Sequence, residues 1–552
     1  MTKKSGPDIL AIDRRLLIKT GLFGLGALTS SGSSAGVDTL LAAKGFTHGV
    51  ASGEPSAGSV LLWTRFVGGD DGTKLRAEIA EDANFKRIVS GGDVTASSAR
   101  DHTAKLVLKG LKPAHRYYYR FIALGGSISD IGRTKTLPRG KTPAFNLAVF
   151  SCSNMPFGWF NAYAHGAARD DIDLAVFLGD YFYEYKAGDY PSVKQAVPGR
   201  IINPATELIA LADYRLRYAS YRADADLQKL HQMHACVAMW DDHEFANDAW
   251  EGGAENHQAS EGDWGVRKAA AEKAWREWMP VSDNVGETRW SRYAIGDLAV
   301  IHMSESRIGA RSQQLSFAGI TGSVDELAKR FTQFRDGPWS DKARTMLGVP
   351  QEKWLADGFA ANKTPWTIWA QQTIIGKIVQ PEAVANWVSP GAPSYVQDRI
   401  ARGAAAAKVG VPANLDNWDG YPAARERALS AAQSANADLI VLTGDSHNAW
   451  AFDLPSGGKP AGVELGGTSV TSPGYEGTFT ATPPKDVVAA LMATNNQLKW
   501  ADMSQRGYMT VAVTPTKVTS NWHFMATVRQ KSTALSGTHS MATLRGKRVF
   551  ES

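Results

Sequence analysis

The chain has 552 residues, of which 43% are hydrophobic and 21% are charged, and its formal net charge is +5. This balance is that of a globular protein, and it excludes collagen-like, wholly disordered and disulfide-stapled small proteins. Residues 1–35 hold five basic and two acidic side chains, so the remaining residues carry a net charge of only +2. No basic tract is left that would neutralise a nucleic-acid backbone, which makes nucleic acid a poor candidate for a partner.

The N-terminal segment has the pattern of an export signal. Arg14 and Arg15 are followed by Leu-Leu-Ile-Lys, then by a short apolar run over 20–28 and by small residues near 33–35. This order is typical of a signal peptide, and the paired arginines resemble a twin-arginine signal. An N-terminal amphipathic helix is the alternative, although the glycines of the run disfavour a helix. We expect residues 1–35, or a segment that extends to residue 43, to direct export to the periplasm or beyond through the twin-arginine machinery, without a permanent membrane span.

Residues 44–138 are predicted to form an N-terminal β-sandwich domain. The stretches 59–66 and 75–79 have the composition of strands and are separated by glycine-rich turns. The sequence Gly-Leu-Lys-Pro-Ala-His-Arg-Tyr-Tyr-Tyr at 110–119 resembles the tyrosine-corner turn of fibronectin type III and immunoglobulin-like sandwiches. Two prolines in 138–143 indicate a linker, and we place the domain boundary there.

Residues 144–552 are predicted to form an α/β domain. Four short apolar runs that are typical of strands buried on both faces occur at 147–150, 174–178, 237–240 and 439–442. Helical patterns alternate with these runs, which favours an α/β fold. Residues 289–304 and 508–528 have the pattern of antiparallel hairpins, so we expect mixed sheets. The Gly/Pro-rich stretch 380–415 is interpreted as a surface excursion.

Each of the four apolar runs is followed by residues with metal-ligand chemistry. The segments are Ser151-Cys152-Ser153, Gly179-Asp180-Tyr181-Phe182-Tyr183-Glu184-Tyr185, Asp241-Asp242-His243-Glu244 and Gly444-Asp445-Ser446-His447. The carboxyl ends of neighbouring strands form the ligand crevice of an open α/β sheet, so these side chains are expected to converge. Several acidic groups in one cleft need a cation to hold them together, and the sequence therefore predicts a metal centre.

Cys152 and Cys236 are the only two cysteines of the chain. A disulfide between them is compatible with an exported protein. Their surroundings instead favour a metal thiolate for Cys152 and a buried, apolar role for Cys236.

The motifs resemble those of the calcineurin-like metallophosphatase superfamily, which includes the purple acid phosphatases. Three features narrow the resemblance to the PhoD-like alkaline phosphatase/phosphodiesterase family: Ser151-Cys152, Trp-Asp-Asp-His-Glu at 240–244 and Gly-Asp-Ser-His at 444–447. The resemblance covers essentially the whole mature chain. It implies an αββα sandwich of mixed sheets, preceded by a fibronectin-like or immunoglobulin-like all-β domain.

The residue types suggest roles in a binuclear centre. Asp180 is able to bridge two metals because a carboxylate has two oxygens. Cys152 and Tyr183 offer anionic sulfur and oxygen donors, whose charge favours trivalent iron, and His447 would add a neutral nitrogen. The resemblance implies Fe³⁺ at this first position.

The second position is expected to use Asp242 and Asp445, whose oxygens are hard ligands, and the resemblance implies Ca²⁺ there. His243 is predicted to reach a phosphate oxygen or the leaving group, as a general acid or as a hydrogen-bond donor. Arg307 is a candidate for bidentate phosphate binding, and a structural role is the equal alternative. Glu305 stands where the family resemblance leads us to expect an aspartate, so Glu305-Ser306-Arg307 departs from the expected Asp-x-Arg pattern.

These features predict an exported, metal-dependent phosphatase that hydrolyses phosphate monoesters, diesters or both through a metal-bound hydroxide. Its substrates would be phosphate esters, either small molecules or polymers, and a monomer is favoured. One alternative is a secreted binding protein with an inactive phosphatase-like domain, in which the ligand set should be broken. The other is a zinc-type alkaline phosphatase with a serine nucleophile, a pattern that Asp445-Ser446-His447 resembles superficially.

Overall fold

The computed structural model describes residues 42–283, 289–389, 391–392 and 394–551. The expected signal peptide at 1–35 lies outside the described residues. Within these ranges, no helix is both long enough and apolar enough to cross a membrane.

The described strands and helices follow one another along the whole chain. The first ten strands are β1 (Gly45–Gly53), β2 (Ser59–Val67), β3 (Thr73–Ala80), β4 (Ile88–Ala96), β5 (Thr103–Lys109), β6 (Arg116–Ala123), β7 (Gly132–Lys135), β8 (Phe145–Phe150), β9 (Leu174–Leu178) and β10 (Ala235–Met239). The others are β11 (Ser291–Ile295), β12 (Ala299–Met303), β13 (Trp366–Ala370), β14 (Leu439–Thr443), β15 (Ala449–Ser456), β16 (Lys459–Gly466), β17 (Leu498–Asp502), β18 (Gly507–Val513), β19 (Lys517–Met525) and β20 (Leu535–Leu544). The α-helices are α1 (Asn161–Ala167), α2 (Leu211–Arg222), α3 (Ala225–Met233), α4 (Trp264–Trp278), α5 (Val324–Asp336), α6 (Val349–Ala361), α7 (Ser394–Ala407), α8 (Pro422–Ser434) and α9 (Pro484–Thr494).

The largest sheet has nine strands in the spatial order β20-β19-β18-β8-β9-β10-β1-β2-β5. Its centre is parallel, because β9 pairs in parallel with both β8 and β10. Alternate residues of β8 face different layers: Leu147 and Val149 face a core between the two large sheets, whereas Ala148 and Phe150 face the helical layer. Burial on both faces explains why these strands appear in the sequence as continuous apolar runs.

A second sheet has seven strands in the order β11-β12-β13-β14-β16-β15-β17, with β12, β13, β14 and β16 parallel. It faces the first sheet across the shared core. Helices α1–α4 pack on the outer face of the first sheet, and α6, α8 and α9 pack on the outer face of the second. The predicted αββα arrangement of mixed sheets is confirmed. Both predicted hairpins, β11–β12 and β18–β19, are also antiparallel pairs.

The N-terminal part of the described chain is all-β, as predicted. Strands β4-β3-β6-β7 form a separate four-stranded sheet, which packs on β1, β2 and β5 through a core of its own. However, β1 also pairs in parallel with β10, with Ser52 opposite Ala235, so the N-terminal strands extend the nine-stranded sheet. The domain limits 44–138 and 144–552 stay a prediction, because hydrogen bonds of a single sheet connect the two parts.

The stretch 380–415 contains more regular structure than its composition suggests. Helix α7 occupies Ser394–Ala407 and packs together with α5 through a small apolar cluster that includes Phe331, Phe334 and Ala406. The expected surface excursion is therefore partly helical.

Candidate metal centre

Three of the four ligand-bearing segments follow neighbouring strands of one sheet. The strands β8, β9 and β10 end at Phe150, Leu178 and Met239, and each segment begins within two residues of its strand. The fourth segment follows β14, which belongs to the other large sheet. The four strands are thus not neighbours in a single sheet, and the centre lies at one end of the sandwich, where segments from both sheets meet.

Two glycines allow these segments to approach one another. A Cβ atom on Gly179 would lie 2.3 Å from Cβ of Asp241, and one on Gly444 would lie 2.8 Å from Cβ of Ser151. Neither distance is compatible with a side chain. The glycine before each aspartate in the two Gly-Asp pairs therefore lets the segments after β9 and β14 pack against their neighbours.

Four of the predicted ligand residues have a left-handed backbone conformation. The φ angles are 60° at Cys152, 51° at Asp180, 59° at Asp445 and 62° at His447. Such angles are uncommon for residues other than glycine and persist only where the surrounding structure enforces them. They turn each segment sharply after its strand, which brings the side chains together.

The four donors predicted for the first metal converge. The ligand atoms of Cys152, Asp180 and His447 all lie within 4.8 Å of one another. The hydroxyl of Tyr183 lies 3.1 Å from Oδ2 of Asp180 and 2.9 Å from Nε2 of His447. Sulfur, carboxylate, phenol and imidazole donors thus surround one position.

Neighbouring groups orient these donors. His447 Nδ1 donates to the carbonyl of Pro473 at 2.9 Å, which leaves Nε2 as the nitrogen that carries a lone pair. Burial lowers the pKa of His447 to about 3, so the imidazole is neutral. The hydroxyl of Ser472 donates to the Tyr183 oxygen at 2.7 Å. Both ligands are therefore held in an orientation that suits a metal ion.

A second group of donors is contiguous with the first. Carboxylate oxygens of Asp241, Asp242 and Asp445 lie within 4.8 Å of one another, as do the ligand atoms of Asp180, Asp242 and His243. Asp180 therefore belongs to the donor sets on both sides, as a bridging ligand would. The predicted residues Asp242 and Asp445 are brought together, and Asp241 joins them.

A third acidic group extends the centre beyond the sequence prediction. Carboxylate oxygens of Asp242, Asp248 and Asp416 lie within 4.8 Å of one another. The backbone amide of Asp248 also donates to Oδ2 of Asp242 at 2.7 Å. Asp248 lies close to Asp242 in the sequence, and this proximity makes it a candidate for a further ligand, although a less favoured one. Asp416 follows no strand, and the sequence interpretation gave it no role.

Several carboxylate oxygens fit metal ligation because they have no other partner. Oδ1 of Asp180 and Oδ2 of Asp241 are buried and accept no hydrogen bond from the described residues. Such orphaned oxygens are rare in folded proteins and are costly to bury. Together with the neighbouring thiol, phenol and imidazole groups, these unpaired carboxylate oxygens form a set that could hold metal ions.

The charges of the protein alone do not balance these acids. Burial raises the pKa of Asp180 and of Asp241 well above the ordinary range, and it raises the pKa of Asp445 to about 7. Burial also acts to raise the pKa of Asp242, but the charges of Arg307, His243 and Arg311 and a hydrogen bond from the backbone amide of Asp248 together outweigh it and lower the pKa to about 2. Arg307 alone does not balance all of these carboxylates, and bound cations would stabilise their charged forms.

Arg307 lies behind the centre with no exposed side-chain surface. Nε donates to Asp241, one terminal nitrogen donates to Asp416 at 2.6 Å, and the other donates to Asp445 at 2.9 Å. These contacts hold three carboxylates in place, as a structural role requires. The predicted phosphate contact of Arg307 stays a prediction, and no described contact is directed to the solvent side.

His243 forms a pair with Glu184, a residue to which the sequence interpretation gave no role. His243 Nδ1 lies 2.7 Å from Oε2 of the fully buried Glu184, whose other oxygen accepts from the backbone of Asn247 and the side chain of Asn256. Nε2 of His243 makes no hydrogen bond with any described residue. Burial acts to lower the pKa of His243, but Glu184 and Asp242 raise it well above the ordinary value. The position of Glu184 directly after Tyr183 was the available sequence signal.

Glu244 ties the segments after β9 and β10 together. Its carboxylate accepts hydrogen bonds from the backbone amides of Asp180 at 3.0 Å, Tyr181 at 2.7 Å and Asp241 at 2.8 Å. Three charge-assisted bonds to one buried carboxylate fix the relative positions of two ligand-bearing turns.

The structure also bears on two sequence alternatives, the disulfide between Cys152 and Cys236 and the serine nucleophile at Ser446. Cys152 and Cys236 are both free thiols, so the disulfide is not formed, and Cys236 is buried within β10. The Ser446 hydroxyl accepts from Nε1 of Trp450 at 2.6 Å and lies 3.4 Å from the carbonyl of Asn448. These contacts hold the turn between Asp445 and His447, and they agree with a serine that spaces two ligands.

Comparison with known proteins agrees with this geometry. Residues 147–522 match the family model of the PhoD-like phosphatases, and residues 32–138 match that of their N-terminal domain. Alkaline phosphatase D of Bacillus subtilis (strain 168) is 32% identical over 512 residues, which cover 89% of this chain and 79% of that protein. A solved structure of PhoD has 29% identity and a TM-score of 0.75 over 92% of each chain. A purple acid phosphatase from yellow lupin (Lupinus luteus) seeds shares the fold, with 11% identity and a TM-score of 0.51 over 90% of this chain and 74% of that one. The chain belongs to the PhoD-like phosphatase family and is a phosphatase.

Proposed function

We propose that this phosphatase is an exported, metal-dependent enzyme that hydrolyses both phosphate monoesters and phosphate diesters. The observation that supports this proposal most is the meeting of two donor sets at Asp180. One set adds Cys152, Tyr183 and His447, and the other adds Asp242 and His243 and continues into further carboxylates. Two cations of different character would suit these two sets.

The first cation is proposed to be Fe³⁺, held by Cys152, Asp180, Tyr183 and His447. Thiolate and phenolate donors favour an oxidised transition metal over calcium or magnesium. The second is proposed to be Ca²⁺, for which Asp180, Asp242 and Asp445 offer hard oxygens. When bound, the two cations supply Lewis acidity toward the phosphoryl oxygens and lower the pKa of a water molecule, the proposed nucleophile.

His243 supplies a proton donor beside this centre. Glu184 accepts from Nδ1, so Nε2 can donate only when the imidazole is protonated, and the raised pKa favours that form. Nε2 is then available to donate a hydrogen bond to a phosphoryl oxygen or a proton to the leaving oxygen. Glu184 fixes the ring orientation, so its role is to position His243 rather than to contact substrate.

Substrate is proposed to enter on the side of Asp445 and His447. Their side chains are 19% and 17% exposed, whereas those of Asp180 and Asp242 are 1% and 3% exposed. The half-buried ring of Tyr185 lies 5.4 Å from the ring of His243, centroid to centroid. The ester groups of a bound substrate would contact the side chains on this side of the centre. A water molecule attacks phosphorus in the same way in monoesters and diesters, so both are proposed as substrates.

The test is hydrolysis of p-nitrophenyl phosphate and bis-p-nitrophenyl phosphate at alkaline pH by the protein purified without chelator, together with its metal content. We expect both substrates to be hydrolysed, exhaustive chelation to abolish both activities, and added metal ions to restore them. Asp180→Asn should remove most of both activities and of the bound metal, because Asp180 serves both positions. The exposed Asp189 gives the matched control, Asp189→Asn, which should be as active as the wild type.

Three outcomes would contradict the proposal. Activity that survives exhaustive chelation would exclude the metal-activated water. Loss of activity in Ser446→Ala, together with a phosphoserine trapped at Ser446 of the wild type, would support a serine nucleophile instead. Ester binding without turnover by the metal-replete protein would support the secreted binding protein.

A further inference from the structure

A cavity of about 370 Å³ opens beside the metal centre. Its wall includes Asp248 and Asp416, which form one acidic group with Asp242. These two acids therefore belong both to the metal centre and to the wall of the cavity. A pocket of this size accommodates a small-molecule group in addition to the one at the metal centre.

Helix α7 contributes two arginines to the cavity wall, Arg399 and Arg402. Residues three apart lie on the same side of a helix, so both guanidinium groups belong to one face. Within the described part of the chain, neither arginine has an ion pair or a hydrogen bond. Each guanidinium group thus keeps its full set of donors for a ligand.

The other arginines near the cavity are already engaged, and they neutralise one of its acids. Asp416 accepts from Arg307 at 2.6 Å and from Arg311 at 2.5 Å. Asp398 is the exposed acid on the same wall, and it offsets only one of the two charges on α7. The helix therefore carries a net positive charge on the cavity wall, while Asp248 is the acid of the wall that belongs to the metal centre.

The cavity connects the two arginines to the metal centre. Its wall holds Arg399 and Arg402 together with Asp248 and Asp416, and these two acids belong to the acidic group around Asp242. A molecule that fills the cavity would therefore contact the edge of the metal centre and α7 at the same time.

We propose that the cavity binds a second phosphate of the substrate through Arg399 and Arg402 while the first phosphate is hydrolysed at the metal centre. The inference rests on the proposed function and specifies its substrate class: phosphate esters whose leaving group carries another phosphate. Guanidinium groups suit this ligand because they bind phosphate oxygens with paired, charge-assisted hydrogen bonds.

Matched pairs of alkanediol monophosphates and bisphosphates, with chains of two, four and six carbons, test this inference. The rate at which the metal-replete enzyme releases inorganic phosphate is measured for each compound, and kcat/KM is calculated from this rate. We expect the wild type to prefer the bisphosphate of at least one length by about tenfold or more beyond the statistical factor of two, as charge-assisted hydrogen bonds allow. The length preferred reports the distance between the two phosphate positions.

The double variant Arg399→Ala/Arg402→Ala should lose that preference. We expect kcat/KM for the preferred bisphosphate to fall about tenfold and the value for its monophosphate to change less than twofold. The control is Lys329→Ala/Arg330→Ala, which removes the same charge from exposed positions of the neighbouring helix α5, outside the cavity. This control should keep the preference of the wild type.

The outcomes separate the inference from the proposed function. An unchanged bisphosphate preference in the α7 double variant, or equal loss in the α5 control, would overturn the inference while hydrolysis itself stands. A metal-replete wild type that hydrolyses neither member of any pair would instead overturn the proposed function. If the double variant does not fold, as circular dichroism shows, each single variant should give part of the loss, and a full preference in both would contradict the inference.

Discussion

Cys152 and Tyr183 supply the donors that distinguish the two sides of Asp180. Both side chains are buried, and both meet His447 and Asp180 rather than the acidic group around Asp242. A thiolate and a phenolate on one side, and carboxylates on the other, would separate a soft or trivalent ion from a hard divalent ion. The identity of the side chains thus decides which cation would occupy which position.

Light absorption tests the proposed iron position. Phenolate and thiolate ligands donate electron density to oxidised iron, so the purified protein should be coloured and reduction should bleach it. Tyr183→Phe should shift or weaken the visible band, and Cys152→Ala should lower the iron content more than the calcium content. An active, metal-replete protein without iron or visible absorption would contradict the iron assignment but not the phosphatase activity.

Arg307→Met tests whether this arginine holds ligands or binds phosphate. The buried carboxylates of Asp241, Asp416 and Asp445 would lose their shared counter-charge, so we expect the chelated protein to be destabilised by about 3–5 kcal/mol. Calcium should restore part of this loss, because a cation can replace the missing charge. Denaturant unfolding with and without calcium measures both effects.

The exposed Arg427 is the control for this variant, because it forms a surface ion pair with Glu352. Arg427→Met should cost about 1 kcal/mol or less. Unchanged stability of Arg307→Met, combined with weaker inhibition by inorganic phosphate, would support the phosphate contact and contradict the structural role.

The predicted convergence is observed where a chemical group follows an apolar strand, whereas the ligand roles of these residues stay predictions. Cys152, Asp180, Asp242 and Asp445 all have this position, and they converge. Glu184 was named only as a neighbour of Tyr183, because a buried carboxylate next to a ligand has no sequence signature of its own. Its partner His243 is 59 positions away in the sequence, so the pair is evident only in the fold.

At the scale of elements, the strand ends position the centre, and the pairing of the strands was only partly predictable. Apolar composition predicted β8, β9, β10 and β14 because each is buried on both faces. It did not indicate that β14 lies in the second sheet, since strands of either sheet have the same composition. Sheet membership depends on contacts between distant segments, which a periodicity does not record.

The edge strand β5 carries a buried cation that links the N-terminal strands to the catalytic part. Lys105 Nζ donates to the carbonyls of Arg276 and Val281 and forms an ion pair with Asp283 at 2.8 Å. Burial lowers the pKa of Lys105 to about 8, against an opposing effect of Asp283. The folded state therefore releases this proton at lower pH than the unfolded state, whose lysine has a pKa of about 10.4.

A pH series of unfolding tests this link. Between about pH 8 and pH 10.4 the unfolded state binds more protons at Lys105, so the free energy of unfolding should rise with pH by about 3 kcal/mol from this residue. In Lys105→Met this contribution should be absent. Lys109 lies exposed at the end of the same strand, and Lys109→Met should keep the slope of the wild type. Equal slopes in the wild type and in Lys105→Met would contradict the prediction.

At the scale of the whole molecule, the N-terminal strands and the catalytic part form one continuous structure. The pairing of β1 with β10 places the all-β part beside a strand that leads directly into Asp241 and Asp242. The lysine link on β5 adds contacts to the end of α4. A chain assembled in this way suits export in the folded state, which is the proposed role of the twin-arginine segment.

Export is tested on the paired arginines of the N-terminal segment. Arg14→Lys/Arg15→Lys keeps the charge but changes the pair, so we expect precursor to accumulate in the cytoplasm. Cell fractionation with detection of the precursor and the mature protein measures this. The control is Lys3→Arg/Lys4→Arg, which keeps the same charge outside the pair and should be exported normally. Normal export of the arginine variant would remove the twin-arginine proposal.

The sequence by itself determined the family, the apolar strands and the donors that follow them, because each of these is a local pattern of burial or chemistry. The tertiary structure alone decided that β14 lies in a different sheet from β8, β9 and β10, that Asp416 joins the acidic group, and that Arg307 faces carboxylates. It also decided that Arg399 and Arg402 face a cavity beside the centre. The reason is physical. A single charged residue in a sequence does not reveal its neighbours in space, and its role depends on which distant side chains the packing of the sheets brings within a few ångströms.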